Sequence, residues 1–221
     1  DASSKEKNGY PHFMLKEIME EPIVLEKTLK PILSDISLLP DLKQYEEIHI
    51  IGCGSAYYAG MIGKSLFEEN GVRAIVEVAS EYRYKKLFLD EETLVIVVSQ
   101  SGETADTLAA MKLAKSKGAR VLAITNVVGS SVAREAHDVF YTWAGPEIAV
   151  ASTKAYTAQM IAFYMIALDF AYKKGTVTLE RYHELIKNIE ALALKVETIL
   201  ANKEVIEKYS IDMKDAQNAE D

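Results

Sequence analysis

Thr93-Leu94-Val95-Ile96-Val97-Val98-Ser99-Gln100-Ser101-Gly102-Glu103-Thr104 changes character within a few residues. Its first half is apolar without interruption, as in a strand buried on both faces. Its second half sets hydroxyls, an amide and a glycine directly before Ala105–Lys117, a stretch with helical spacing. A parallel strand ending in a small polar loop and then a helix is the repeating unit of an α/β sheet.

The same alternation extends in both directions. Strand candidates are His49–Cys53, Ala74–Val78, Thr93–Val98, Val121–Thr125 and Asp138–Thr142. Between them lie helix candidates Ala56–Glu69, Ala105–Lys117 and Ser131–Glu135, and a short turn at Glu81–Lys86. Right-handed crossovers leave few ways to connect such strands. The reading is therefore α/β, a doubly wound five-stranded parallel sheet in the flavodoxin-like order 2-1-3-4-5, flanked by helices, with its switch point between the first and third strands.

Outside the sheet, His12–Lys30 is amphipathic, with Pro22 kinking it or starting a second segment. Ser152–Lys173 and Leu179 to about Leu200 follow as further helices, and a charged tail begins at Lys203. This divides the chain into a linker (1–10), leading helices (11–45), the sheet domain (46–200) and a connecting segment (201–221).

Composition narrows the function. At 221 residues, with 49% hydrophobic and 26% charged side chains and five prolines, the chain is of ordinary globular type. A net charge of -8 without a basic block argues against a nucleic-acid partner. A bound phosphate would have to be held locally, by backbone amides, hydroxyls or a helix terminus. Cys53 is the only cysteine, which excludes an intrachain disulfide and fits a reducing cytoplasm. The four histidines are scattered, so no metal or cofactor is expected. The first nine residues lack the apolar run of a signal peptide. The apolar run Met160–Leu168 is far short of the roughly 20 residues that span a bilayer, so no membrane association is expected.

In a doubly wound sheet, ligands bind beyond the carboxyl ends of the strands flanking the switch point. After the third strand, Ser99, Ser101 and Thr104 offer hydroxyl donors and Gly102 permits close approach of the backbone, at a helix start whose free amides favour an anion. Capping by Ser101 is the plainer reading. After the first strand, Gly52-Cys53-Gly54-Ser55-Ala56 makes a second such turn. It is a poor dinucleotide fingerprint, because Tyr57 occupies the third glycine position. A third hydroxyl cluster, Ala151-Ser152-Thr153-Lys154-Ala155, opens the long apolar helix, where Lys154 reads as solvated or ion-paired rather than catalytic.

Cys53-Gly54-Ser55-Ala56-Tyr57, Ser80-Glu81-Tyr82-Arg83-Tyr84, Ser99 to Thr107 and Val150 to Ala155 together resemble the glutamine:fructose-6-phosphate aminotransferase family, within the wider sugar isomerase (SIS) superfamily. Tyr10 to Ile18 is similar to that family's segment joining a glutaminase domain to the isomerase part. The resemblance implies the first of two SIS halves, which would bind fructose 6-phosphate or glucosamine 6-phosphate. Ser99, Gln100, Ser101 and Thr104 would hold the phosphate, while Ser55, the backbone at Ala56 and Ser152 would line the sugar. Where the family has Cys-Gly-Thr-Ser, this chain has Cys53-Gly54-Ser55-Ala56, so Ala56 offers only its backbone N–H.

The resemblance also implies a homodimer and an isomerase base outside this chain, together with missing glutaminase and second SIS domains. The fragment alone would then be inactive. The alternatives are a stand-alone phosphosugar isomerase or deglycase, with Glu81, Glu103 or Glu147 as its base, and a non-catalytic SIS sugar-phosphate sensor.

Overall fold

A computed structural model describes residues 6–216. Strands β1 (Glu47–Gly52), β2 (Arg73–Val78), β3 (Thr93–Ser99), β4 (Arg120–Thr125) and β5 (Asp138–Tyr141) form one sheet in the order β2-β1-β3-β4-β5. All neighbouring pairs are parallel, with Glu47 opposite Thr93 and Ser99 opposite Thr125. This is the predicted architecture and strand order.

The helices are α1 (Phe13–Met19), α2 (Glu21–Ser34), α3 (Ser55–Glu69), α4 (Ala79–Tyr82), α5 (Ala105–Ser116), α6 (Ser131–Glu135), α7 (Lys154–Lys174), α8 (Leu179–Glu190), α9 (Leu192–Leu200) and α10 (Lys203–Met213). They explain why β3 reads as apolar throughout. Successive side chains on a strand point to opposite faces, and here both faces are covered. Ile48, Ile50, Leu94, Ile96, Val98, Leu122 and Ile124 share a core with Phe67 of α3 and Phe163 of α7. Ile51, Val95, Val97, Val121 and Ala123 share the other with Met111 and Ala114 of α5 and with Tyr82. Each such aliphatic side chain contributes roughly 1.5–3 kcal/mol by leaving water.

The amino-terminal arm shares the first core, through Leu25, Leu29 and Ile32 of α2. The arm breaks at Glu20, and Pro22 sits in the first turn of α2, where its missing N–H costs nothing. The stretch expected as one helix from Leu179 to Leu200 is two, α8 and α9, meeting at Ala191. The tail beyond Lys203 forms α10, none of whose side chains is buried.

Candidate functional site

The site is built from the loops that leave β1, β3 and β5 at the carboxyl edge of the sheet. Because β1 and β3 are paired in register, the loops after Gly52 and Ser99 open side by side. The chain then runs into α3 on one face and α5 on the other, which leaves a crevice between the two helix starts.

The loop after β3 is held in a single shape. Ser99, only 3% exposed, accepts the N–H of Gly102 at its Oγ (3.0 Å), and that Oγ lies 3.1 Å from Thr104 Oγ1. Gly102 has φ +66°, a region that glycine adopts without cost. Its carbonyl accepts the N–H of Val132 (3.0 Å), while Glu103 Oε1 accepts the N–H of Ser131 (2.7 Å), so the loop is riveted to the start of α6.

Thr104 is the N-cap residue of α5, and its hydroxyl makes no capping bond. Ser101 Oγ accepts from Glu103 N–H (3.2 Å) within the loop instead of capping the helix. The plain capping reading of Ser101 therefore does not hold. Gln100, Ser101 and Thr104 are half-buried, open on one side, whereas Ser99 is turned inward and braces them.

Glu103 is surface-exposed, and the bond from Ser131, aided by Arg134, holds its carboxyl below the usual range. A folded pKa lower than the unfolded one means that the rivet is intact above the ordinary value of 4.5 and is lost as pH falls through the depressed value. In an NMR titration the Ser131 amide resonance should hold its position at pH 4.5 and shift only at lower pH. A midpoint at or above 4.5 would contradict the rivet.

In the β1–α3 turn, a Cβ on Gly52 would lie 2.9 Å from Ala56 C and from Tyr57 N, so this glycine is required by the tight turn. Gly54 adopts φ +56° and ψ -131°, and Ser55 opens α3 half-buried. Ala56 turns its methyl into the core, and its N–H, the group the resemblance assigns to the sugar, donates to the Cys53 carbonyl (3.2 Å).

The end of β4 brings in a residue that the sequence reading missed. Asn126 donates its own N–H to Gln100 O (3.1 Å), accepts from Ala144 N–H (2.7 Å) and Thr142 Oγ1 (3.2 Å), and donates Nδ2 to Gly145 O (2.7 Å). One residue thus connects the two loops, its backbone N–H reaching the loop after β3 and its side chain the loop after β5. Its position directly after an apolar strand was the only available signal.

Further on, Glu147 accepts the Ser152 hydroxyl (3.1 Å) and the N–H groups of Thr153 (3.0 Å) and Ala155 (3.1 Å), capping α7 from upstream. Lys154 is buried and paired with Glu20 Oε2 at 2.6 Å, as the ion-paired reading has it. Of the candidate bases, Glu147 and Glu103 are engaged in holding loops, and Glu81 is exposed on α4. Ser152 is bonded to Glu147 and stands on the third loop, between β5 and α7.

Among the described residues, no group of three or more His, Cys, Asp and Glu side chains is placed to hold a metal ion. A large concavity of about 960 Å³ lies away from these loops, between α3, α7, α8 and α9. Leu66, Met160, Leu168, Leu185 and Val196 line it. Its walls are mainly aliphatic, and it presents no hydroxyl cluster like that of the β3–α5 loop.

Comparison with known proteins gives a consistent picture. The SIS domain family model matches residues 41–169. The chain is 53% identical over 220 residues to the glutamine--fructose-6-phosphate aminotransferase [isomerizing] of Caldanaerobacter subterraneus subsp. tengcongensis, covering 95% of this chain and 36% of that protein. The chain therefore spans about a third of the length of the curated relatives it matches. Among solved structures, it superposes on the C-terminal domain of glucosamine-fructose-6-phosphate aminotransferase from Francisella tularensis with a TM-score of 0.88 at 34% identity, over 95% of this chain and 61% of that one. A putative phosphosugar isomerase from Clostridium difficile 630 shares the fold, with a TM-score of 0.77 at 23% identity over 91% of this chain and 57% of that one.

Proposed function

This chain belongs to the SIS domain family, and from that premise we propose that it is the sugar-phosphate-binding half of the isomerase part of a glutamine:fructose-6-phosphate aminotransferase. The parent protein would convert fructose 6-phosphate and glutamine into glucosamine 6-phosphate and glutamate in the cytoplasm, as a homodimer. This chain's share is to bind and orient the phosphorylated sugar, without turnover of its own.

The observation that carries this reading is the loop from Ser99 to Thr104. Half-buried hydroxyl and amide side chains surround the start of α5, which is not capped by Thr104, and Gly102 and Ser99 hold the backbone in place. Such a cradle suits a doubly negative phosphate on a protein of net charge -8, because its attraction is local. Ser101, Thr104 and Gln100 would hold the phosphate, Ser99 would shape the loop, and Ser55, the backbone at Ala56 and Ser152 would line the sugar. Anchoring the remote phosphate orients the reacting carbons, so binding energy gained there is used at a distance from the chemistry. Proton transfer between carbons 1 and 2 needs a base within hydrogen-bond reach. The engagement of Glu103 and Glu147 in loop bonds supports a base outside this chain.

Calorimetric titration with glucosamine 6-phosphate tests the assignment. A hydrogen bond to a charged group is worth about 1.5–3 kcal/mol, so Ser101→Ala and Thr104→Ala should each weaken binding roughly ten- to a hundredfold. Ser99→Ala should do the same indirectly, by leaving the buried Gly102 N–H without its acceptor. Unaltered affinity in both Ser101→Ala and Thr104→Ala would remove the cradle from consideration. Turnover of fructose 6-phosphate by the isolated chain would favour a stand-alone isomerase.

A further inference from the structure

The amino-terminal arm carries a set of buried charges that the proposed binding function does not use. Glu17 is 2% exposed, and Lys16 and Lys154 are each 3% exposed. A carboxylate buried to that degree is strongly disfavoured unless it is paired or hydrogen-bonded. Glu17 meets this requirement entirely on a distant loop. Its Oε1 accepts the N–H of Ile148 (2.6 Å), and both of its carboxylate oxygens lie 3.3 Å from the N–H of Ala149. One turn along the arm, Glu20 pairs with Lys154 (2.6 Å) and with Lys16 (3.5 Å).

The loop held in this way gains little from apolar burial. Ile148 is 44% exposed and Val150 is wholly exposed. Its order comes from carboxylates at its two ends: Glu17 of the arm grips 148–149, and Glu147 grips the Ser152 hydroxyl and the N–H groups of Thr153 and Ala155. Ser152 opens the second grip, three residues beyond Ala149, so its placement depends on both carboxylates.

We propose that Glu17 is a positioning residue for the sugar side of the site: by fixing 148–149 it presents Ser152, so that docking of the amino-terminal arm sets affinity for the sugar while the phosphate cradle on β3 is unaffected. The inference rests on the reading of Ser152 as a sugar contact. It makes the arm, which precedes the sheet in sequence, a lever on ligand binding. Displacement of the arm would reach the sugar through the Glu17 bonds rather than through the sheet.

The test uses this chain with Glu17→Ala, Glu17→Gln, and Glu26→Ala as an exposed control on the arm. Amide hydrogen exchange is followed at Ile148 and Ala149, and binding of glucosamine 6-phosphate is compared with binding of inorganic phosphate. Loss of charged hydrogen bonds in Glu17→Ala should speed exchange at both amides and weaken glucosamine 6-phosphate about tenfold, leaving inorganic phosphate unchanged. Glu17→Gln, which keeps an acceptor oxygen, should fall between, and Glu26→Ala should match the parent chain.

Unchanged exchange in Glu17→Ala, or equal weakening of both ligands, overturns the proposal. Glu17→Gln supplies the same readings should Glu17→Ala fail to fold. A parallel Ser101→Ala titration separates the two levels. If Ser101→Ala weakens both ligands but neither Glu17 variant affects the sugar phosphate, the positioning role alone falls. If Ser101→Ala affects neither ligand, the binding-site reading falls with it.

Discussion

Gly102→Ala should lower stability by roughly 2–5 kcal/mol and abolish measurable sugar-phosphate binding. Two costs add. The residue sits at φ +66°, where a Cβ costs about 1–2 kcal/mol. The new methyl would also lie 2.5 Å from Ser130 Cβ and 2.9 Å from Thr125 Oγ1, and closer still to the Ser130 hydroxyl. Ser130 caps α6 and Thr125 ends β4, so neither can retreat easily, and overpacking of this kind costs about 1–3 kcal/mol. For a chain of this size the melting temperature should fall by on the order of 10 °C. Binding should suffer separately, because the N–H and carbonyl of Gly102 are what tie the loop to Ser99 and Val132. A variant that melts within about 2 °C of the parent and keeps its affinity would show that the loop tolerates a different path.

The second large effect lies beneath the site, where α3 meets α7. Phe163 is fully buried, and truncation to Ala should cost roughly 3–5 kcal/mol. Its ring lies against Gly63 so closely that a Cβ there would be 2.5 Å from Cε1 and 2.8 Å from Cγ. Gly63→Ala in the parent chain should therefore destabilise by about 1–3 kcal/mol of overpacking, less the ~1 kcal/mol that Ala gains over Gly in a helix. Once the ring is gone the sign reverses. In the Phe163→Ala background the same substitution fills part of the cavity and keeps the helix benefit, so it should stabilise. Denaturant unfolding of the four proteins measures this directly. Additive effects would mean that glycine and ring do not share the space, which the geometry excludes.

The sheet was legible because its signals are local and redundant. Leu94–Val98 is apolar along its length since α3 and α7 cover its even-numbered side chains and α5 its odd-numbered ones, and the polar hexapeptide marks where cover ends. The loop after β3 was legible for the same reason, as all its hydroxyls lie within six residues of sequence.

Glu17 and Asn126 carried no comparable sign, and Glu147 stood out only as a candidate base, not as the residue that caps α7. Glu17 bonds a loop 131 residues away, and in sequence it is one more carboxylate in a mixed helix. The division of α8 from α9 was equally hidden. Ala191 has φ -73° and ψ -10°, only modestly removed from helical values, and neither glycine nor proline marks it. α10 reads as a charged tail because, with no side chain buried, no apolar stripe had to be kept on one side.

The strand order given above also determines how the sheet ends. β2 and β5 are the outer strands, and unpaired outer strands invite other chains to add on. Here one rim carries Arg73 and Glu77, linked to Glu47 (3.3 Å) and Lys85 (2.5 Å), and the other is four residues long, with Asp138 clasped by Arg120 (2.7 Å). A foreign strand approaching either rim would have to break those ion pairs or find too little backbone to zip onto. Charge on one border and brevity on the other are both features that oppose edge-to-edge pairing of sheets.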